Sequence, residues 1–153
     1  MRYQKGDIWE LAALHSGIVV VTTNLVLKHN GDAVMGAGIA KDAATRLSAL
    51  PYALGKHIER WGEKPFLFVG GTPTVICLPT KTDWKKNSDI DLIERGCKEL
   101  VWLQYLLKLS GDARHIFLPR LGCGLGCLNW ERQVRPVVDA HLIGDQFVLV
   151  DKS

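Results

Sequence analysis

Long apolar runs are missing from this 153-residue chain. None approaches the ~18 consecutive apolar residues that a membrane-crossing helix needs. The opening MRYQKGDIWE also lacks the apolar core and small-residue cleavage site of a secretory leader. The expectation is a soluble, cytoplasmic protein with no membrane partner. Paired cysteines are scarce as well: of Cys77, Cys97, Cys123 and Cys127, only the last two share a loop. Cys77 lies in a strand-like apolar run and Cys97 on the apolar face of a helical one, where cysteine acts as a small hydrophobe. Without a second close pair there is no basis for a structural zinc site, and none is expected. The five histidines are scattered, with no HExxH, and no GxSxG is present, which argues against zinc-protease and serine-hydrolase chemistry. A formal charge of +3 and a pI near 8.7 permit an anionic ligand but fall short of a dedicated DNA binder's basic footprint.

What is present suffices for one domain over residues 1–153, with 47% hydrophobic residues to build its core. The sequence contains no internal repeat, low-complexity tract or linker. Residues 2–7 are short and mixed. Gly17–Thr23 (GIVVVTT) is β-branched without polar alternation, as in a strand buried on both faces. A helix is expected from about Gly38, with Ile39, Ala43 and Leu47 on one face, breaking at Pro51 and restarting through Leu54, Ile58 and Trp61. Phe66–Val69 and Thr74–Leu78 read as strands separated by Gly70, Gly71 and Pro73. The longest helix runs from Asp89 to about Leu109, its start marked by the capping-box spacing of Ser88 and Asp91. His115–Pro119 is a strand, Trp130 to about His141 a helix with Asn129 as N-cap, and Gln146–Val150 a last strand. This alternation predicts an α/β fold in which helices cover both faces of a largely parallel sheet.

Two glycine-rich loops stand out. Met35-Gly36-Ala37-Gly38 and Leu121-Gly122-Cys123-Gly124-Leu125-Gly126 each follow strand-side sequence and open a helix. Such a loop gathers free N–H groups at the positive end of a helix dipole, which suits a phosphate; a tight turn needing glycine is the other reading. In open sheets both loops would fall outside the carboxyl ends of the strands, where two sets of donors could straddle a diphosphate. The dinucleotide fingerprint does not fit, because about a dozen residues separate Thr23 from Gly36 and GAGIAK lacks the third glycine. The P-loop does not fit either, since no GK[ST] follows.

Lys5-Gly6-Asp7-Ile8, Val21-Thr22-Thr23-Asn24, Val34-Met35-Gly36-Ala37-Gly38-Ile39-Ala40, Leu78-Pro79-Thr80-Lys81 and Pro119–Gly126 together cover nearly the whole chain. In this order they resemble the macrodomain family. Within it they resemble the branch of terminal ADP-ribose glycohydrolases and antitoxins that remove ADP-ribose from DNA. The resemblance implies a three-layer α/β/α domain with a central mixed, largely parallel sheet and a cleft for ADP-ribose, with no cofactor or metal. It implies that Asp7 accepts from the adenine amino group with Ile8 beside it. Gly36, Ala37, Gly38, Ile39 and Ala40 would form the first phosphate loop, entered at Met35. Gly122, Cys123, Gly124, Leu125 and Gly126 would form the second, entered at Leu121. Asn24 would lie near the distal ribose, and Lys81 would attack its anomeric carbon.

On chemistry alone Lys81 has two readings, a nucleophile deprotonated in an enclosed cleft or a solvated lysine binding a phosphate. Two features depart from the branch. Gly126 stands where the protein-directed glycohydrolase carries an aspartate, so the DNA-type pattern GCGLGxLxW fits better. Residues 25–34 (LVLKHNGDAV) are also longer than the link of the antitoxins. There Lys28, His29, Asn30 and Asp32 could line the distal ribose or reach the attached group, or form a surface loop.

Trp84-Lys85-Lys86-Asn87, close after Lys81, could stack on a base and contact phosphate, or be an exposed loop with one anchoring tryptophan. The expectation is therefore a monomeric ADP-ribosyl hydrolase acting on a nucleic-acid base or a protein side chain. The alternatives are a non-catalytic ADP-ribose reader and an ADP-ribose 1″-phosphate phosphatase using Asp32 or His29.

Overall fold

The computed structural model describes residues 1–152. Strands β1 (Arg2–Lys5), β2 (Ile18–Thr23), β3 (Phe66–Phe68), β4 (Val75–Pro79), β5 (Ile116–Leu118) and β6 (Phe147–Asp151) form one sheet in the order β1-β6-β5-β2-β4-β3. Every neighbouring pair is parallel except β3 with β4. The sheet is therefore mixed and mostly parallel, as expected.

Strand pleating explains the three layers. Because successive side chains point to opposite faces, Val19, Val21, Val75, Cys77, Phe117, Val148 and Val150 enter one core. Ile18, Val20, Ile76, Leu78, Ile116, Leu118, Phe147 and Leu149 enter the other. The first core is closed by helices α1 (Ile8–His15), α2 (Gly38–Arg46) and α3 (Leu50–Trp61), through Trp9, Ala12, Ala43, Leu50 and Leu54. The second is closed by α4 (Ile90–Leu109) and α5 (Arg135–His141), through Ile93, Cys97, Leu100 and Val138. At about 1.5–3 kcal/mol for each fully buried aliphatic side chain, these two cores supply the main drive to fold.

Several boundaries differ from expectation for local reasons. Residues 2–15, in which the sequence predicts no element, contain β1 and α1. Asp7 caps α1, its Oδ1 accepting from the backbone N–H of Trp9 at 2.9 Å and of Glu10 at 3.0 Å. The first long helix breaks before Pro51, at residues 47–49, and Pro51 sits in the opening turn of α3, where its missing N–H costs nothing. Ser88 does not cap α4. Its side chain is buried toward Thr80, Oγ to Oγ1 at 3.4 Å, and Asp89 takes the role, accepting from Asp91 N and Leu92 N. Asn129 does cap, accepting from Arg132 N at 2.8 Å. The helix it starts opens with a π-helical turn, Trp130–Val134, before α5.

Candidate functional site

β2 and β5 are neighbours in the sheet, yet their chains leave in opposite senses. After β2 the chain runs to α2 and α3 over the first core, whereas after β5 it runs to α5 over the second. Between two such strands the departing loops part and leave a crevice at their carboxyl ends. The two glycine-rich segments are these departing loops.

Both loops present unused donors. Among the described residues the N–H groups of Gly36, Ala37, Gly38, Ile39 and Ala40 reach no protein acceptor; the first bond of this turn is Lys41 N to Ala37 O at 3.2 Å. Ala37 stands at the N-cap without a side-chain acceptor, so the start of α2 is open. In the second loop the N–H groups of Gly124, Leu125 and Gly126 are likewise unbonded among the described residues. That loop is nevertheless held in shape, by Cys127 N to Gly124 O at 3.2 Å, Leu128 N to Gly122 O at 3.0 Å and Ser88 N to Gly126 O at 2.9 Å. The loops meet: a Cβ placed on Gly38 would lie 3.6 Å from Leu125 Cδ1.

The glycines divide by the reason each is glycine. Gly38 (φ +58°) and Gly122 (φ +72°) hold left-handed backbone that side chains resist. Gly126 is demanded by packing, since a Cβ there would overlap Ser88 Oγ and the Gly122 carbonyl. Gly36 and Gly124 have neither reason. Their φ values are not left-handed, and a Cβ on either would meet nothing within 4 Å. Space is kept open at both, one on each wall of the crevice.

Asp7, Asn24 and Lys81 come just after the carboxyl ends of the parallel strands β1, β2 and β4, on the same edge of the sheet as the two loops. Asp7 follows β1 and retains Oδ2 free of the α1 cap, with half-buried Ile8 next to it. Met35 is 7% exposed and Leu121 fully buried, so both act as struts beneath the loops. Asn24 extends β2, but its amide works on the loop: Oδ1 accepts from Val26 N at 2.9 Å and Nδ2 donates to Val34 O at 3.1 Å. Lys81, half-buried, follows a rigid anchor. Thr80 N donates to Thr23 O at 3.0 Å, continuing the β2–β4 ladder, and Thr80 O accepts from Asp89 N at 2.8 Å. Residues 81–88 are thus closed at their base and tied by Ser88 to the second glycine loop.

Residues 25–34 turn back on themselves. Leu27 bridges Ala33 antiparallel, Lys28 N donates to Asp32 O at 2.8 Å, and Gly31 N closes the tip on Lys28 O at 2.9 Å. This finger lies on α3, where Ala33 N donates to Pro51 O and Gly55 leaves room for the Gly31 carbonyl. Asn30 Oδ1 is used within it by Asp32 N. Leu27, Lys28, His29 and Asn30 line an open surface depression.

Arg120 was not singled out from the sequence. It pairs with Asp151 at 2.9 Å, bracing the carboxyl ends of β5 and β6, and its guanidinium lies 5.5 Å from the Trp130 ring centroid. Cys123 is not primed as a nucleophile, because burial pushes its thiol above the ordinary range despite the opposing pull of Arg120.

No family model matches the sequence. Solved structures do. The macrodomain of Thermus aquaticus DarG superposes with a TM-score of 0.77 at 28% identity, over 99% of this chain and 97% of that one. The chain has the macrodomain fold. The macrodomain of Mycobacterium tuberculosis DarG is similar at a TM-score of 0.76 and 27% identity, with 99% and 97% of the two chains covered. Thermosipho africanus DarTG in complex with ADP-ribose shares the macrodomain fold at a TM-score of 0.74 and 24% identity, this chain covering 42% of its length. One curated relative, a DNA ADP-ribosyl transferase-DNA ADP-ribosyl glycohydrolase fusion protein of Thermosipho africanus, is 40% identical over 55 residues, 36% of this chain. The chain spans 13% of that protein's length. Among the described residues no helix is long and apolar enough to cross a membrane.

Proposed function

We propose that this macrodomain binds a terminal ADP-ribose in the crevice between its glycine loops and hydrolyses it from a modified nucleic-acid base or protein side chain, using Lys81. The observation that carries the proposal is the pair Gly36 and Gly124. Neither backbone conformation nor packing requires glycine there, and the N–H groups around both are unbonded among the described residues. A ligand that approaches the backbone closely from between the loops accounts for both, and a diphosphate matches donors on two sides. Adenine would lie toward Asp7 and its free Oδ2, and the distal ribose toward Lys81, beyond Asn24. The DarG macrodomains similar to this chain, the ADP-ribose named with the DarTG structure and the glycohydrolase name of the curated relative support the same reading.

In the proposed reaction the neutral Lys81 amine attacks the anomeric carbon of the distal ribose. The bond from that carbon to the modified group breaks, its electron pair leaves with the group, and the group takes up a proton. Water then cleaves the bond to Lys81 and releases ADP-ribose with the free amine. Thr80, fixed at both its backbone groups, holds the lysine's starting point against the β2 end.

The deciding experiment incubates the protein with ADP-ribosylated single-stranded DNA, ADP-ribosylated protein and ADP-ribose 1″-phosphate, and follows release of ADP-ribose. Release from DNA or protein supports the proposal. Tight binding of ADP-ribose without release from any of the three makes the domain a reader.

A further inference from the structure

Residues 81–88 carry three lysines against one aspartate, and a tryptophan stands at their centre. Asp83 is occupied within the loop, its Oδ1 accepting from Lys85 N at 2.9 Å and its carbonyl from Lys86 N at 3.0 Å. Trp84 belongs to neither core; it is 52% exposed, so it does not anchor the loop. Its ring has the Lys85 Nζ 5.3 Å from the centroid, and Lys85 and Lys86 are both exposed. The base of the loop is rigid, held by Asp89 N to Thr80 O and Ser88 N to Gly126 O.

A half-exposed indole with cations beside it, on a loop fixed at both ends, is the arrangement that stacks on an unpaired base while lysines meet the flanking phosphates. Position sets the reach. Trp84 is three residues from Lys81, so their Cα atoms are at most about 11 Å apart, at 3.8 Å for each step. That distance spans about three stacked nucleotides.

We propose that residues 81–88 form a second subsite, in which Trp84 stacks on a base next to the ADP-ribosylated nucleotide of a single strand and Lys85 and Lys86 contact its backbone. This rests on the reading of the crevice as an ADP-ribose site and adds a contact outside the ADP-ribose itself.

The test uses the Lys81→Ala background to separate binding from turnover. Its probes are ADP-ribose, an unmodified single-stranded oligonucleotide, the same strand with one ADP-ribosylated base, and an ADP-ribosylated protein. The modified strand should bind roughly 5- to 150-fold tighter than free ADP-ribose, the range one stacked base supplies. Trp84→Ala should remove that gain without changing ADP-ribose affinity, and Trp84→Phe should restore much of it. Replacing Lys85 and Lys86 by Ala should flatten the salt dependence by about one unit of slope for each lysine. A gain that is absent, that survives Trp84→Ala, or that the ADP-ribosylated protein shows equally would overturn the proposal. Loss of ADP-ribose binding together with retained, Trp84-dependent binding of the unmodified strand would sink the crevice reading and leave the loop's role standing.

Discussion

Gly38 and Leu125 face one another across the crevice, with the site of a Cβ on the first 3.6 Å from Cδ1 of the second. The residues belong to loops that leave adjacent strands toward opposite faces of the sheet, so their contact joins the two walls of the crevice. Leu125 itself is 65% exposed, and its side chain covers the start of α2 rather than filling a core. Leu125→Ala should leave the denaturation midpoint within about 0.5 kcal/mol of the parent, as for a surface substitution. It should speed dissociation of ADP-ribose, measured by stopped-flow displacement, by removing one wall's apolar cover.

The division among glycines gives opposite predictions for chemically identical changes. Gly36→Ala places a methyl in open space, on backbone that is not left-handed, so stability should hold or rise by about 0.4–1 kcal/mol. ADP-ribose affinity should nonetheless fall about tenfold or more, equivalent to 1.4 kcal/mol or above. Gly126→Ala should do the reverse in kind, costing about 1–3 kcal/mol of stability through overlap with Ser88 and Gly122. Denaturant melts and calorimetry on both variants check the pair.

The finger's placement is equally testable. Gly55→Ala would drive a methyl into the Gly31 carbonyl and should cost about 1–3 kcal/mol, read from the denaturation midpoint. Asn24→Asp keeps the acceptor for Val26 N but loses the donor to Val34 O, and should destabilise by about 1–3 kcal/mol. If either variant is as stable as the parent, the finger is not held as described.

Acid stability has one identifiable contributor at the entry to β5. Hydrogen bonds from the Arg114 guanidinium hold the Asp112 carboxyl below the usual carboxylate range, and Arg114 Nη1 also reaches Thr74 Oγ1 at 3.1 Å. A group whose folded value is depressed stabilises above its unfolded pKa, near 3.9, and loses that contribution as pH falls toward the folded value. Asp112→Asn should therefore cost less than about 1 kcal/mol at pH 7 for this partly exposed pair. The gap from the parent should close as pH drops below about 4, measured by urea melts across pH.

Much of this was legible in the sequence, for physical reasons that differ by element. Gly17–Thr23 declared a doubly buried strand because its β-branched run lacks polar alternation, and β2 lies in both cores. The two glycine loops were visible as loops feeding helices, and helix–strand alternation alone brought them to one sheet edge. β1 was not legible, since Arg2–Lys5 is exposed throughout and pairs only with β6, far along the chain. α1 is eight residues long, below the length at which periodicity speaks, although Asp7 and Glu10 have the capping-box spacing that marks its start. Residues 25–34 drew attention by length, but their turn onto α3 depends on Gly55, a contact no local pattern encodes. The choice of Asp89 over Ser88 as a cap likewise depends on Thr80 and Gly126, which bury Ser88 from elsewhere in the fold.

The proposed chemistry turns on Lys81, and one paired measurement tests it most directly. Lys81→Ala is compared with the parent for release of ADP-ribose from an ADP-ribosylated oligonucleotide, with calorimetric binding of ADP-ribose recorded on the same preparations. The expected result is binding within a few-fold of the parent and release lowered by about three orders of magnitude or more, a barrier increase of at least about 4 kcal/mol. Release by Lys81→Ala at the parent's rate would contradict the assignment of Lys81 as the nucleophile.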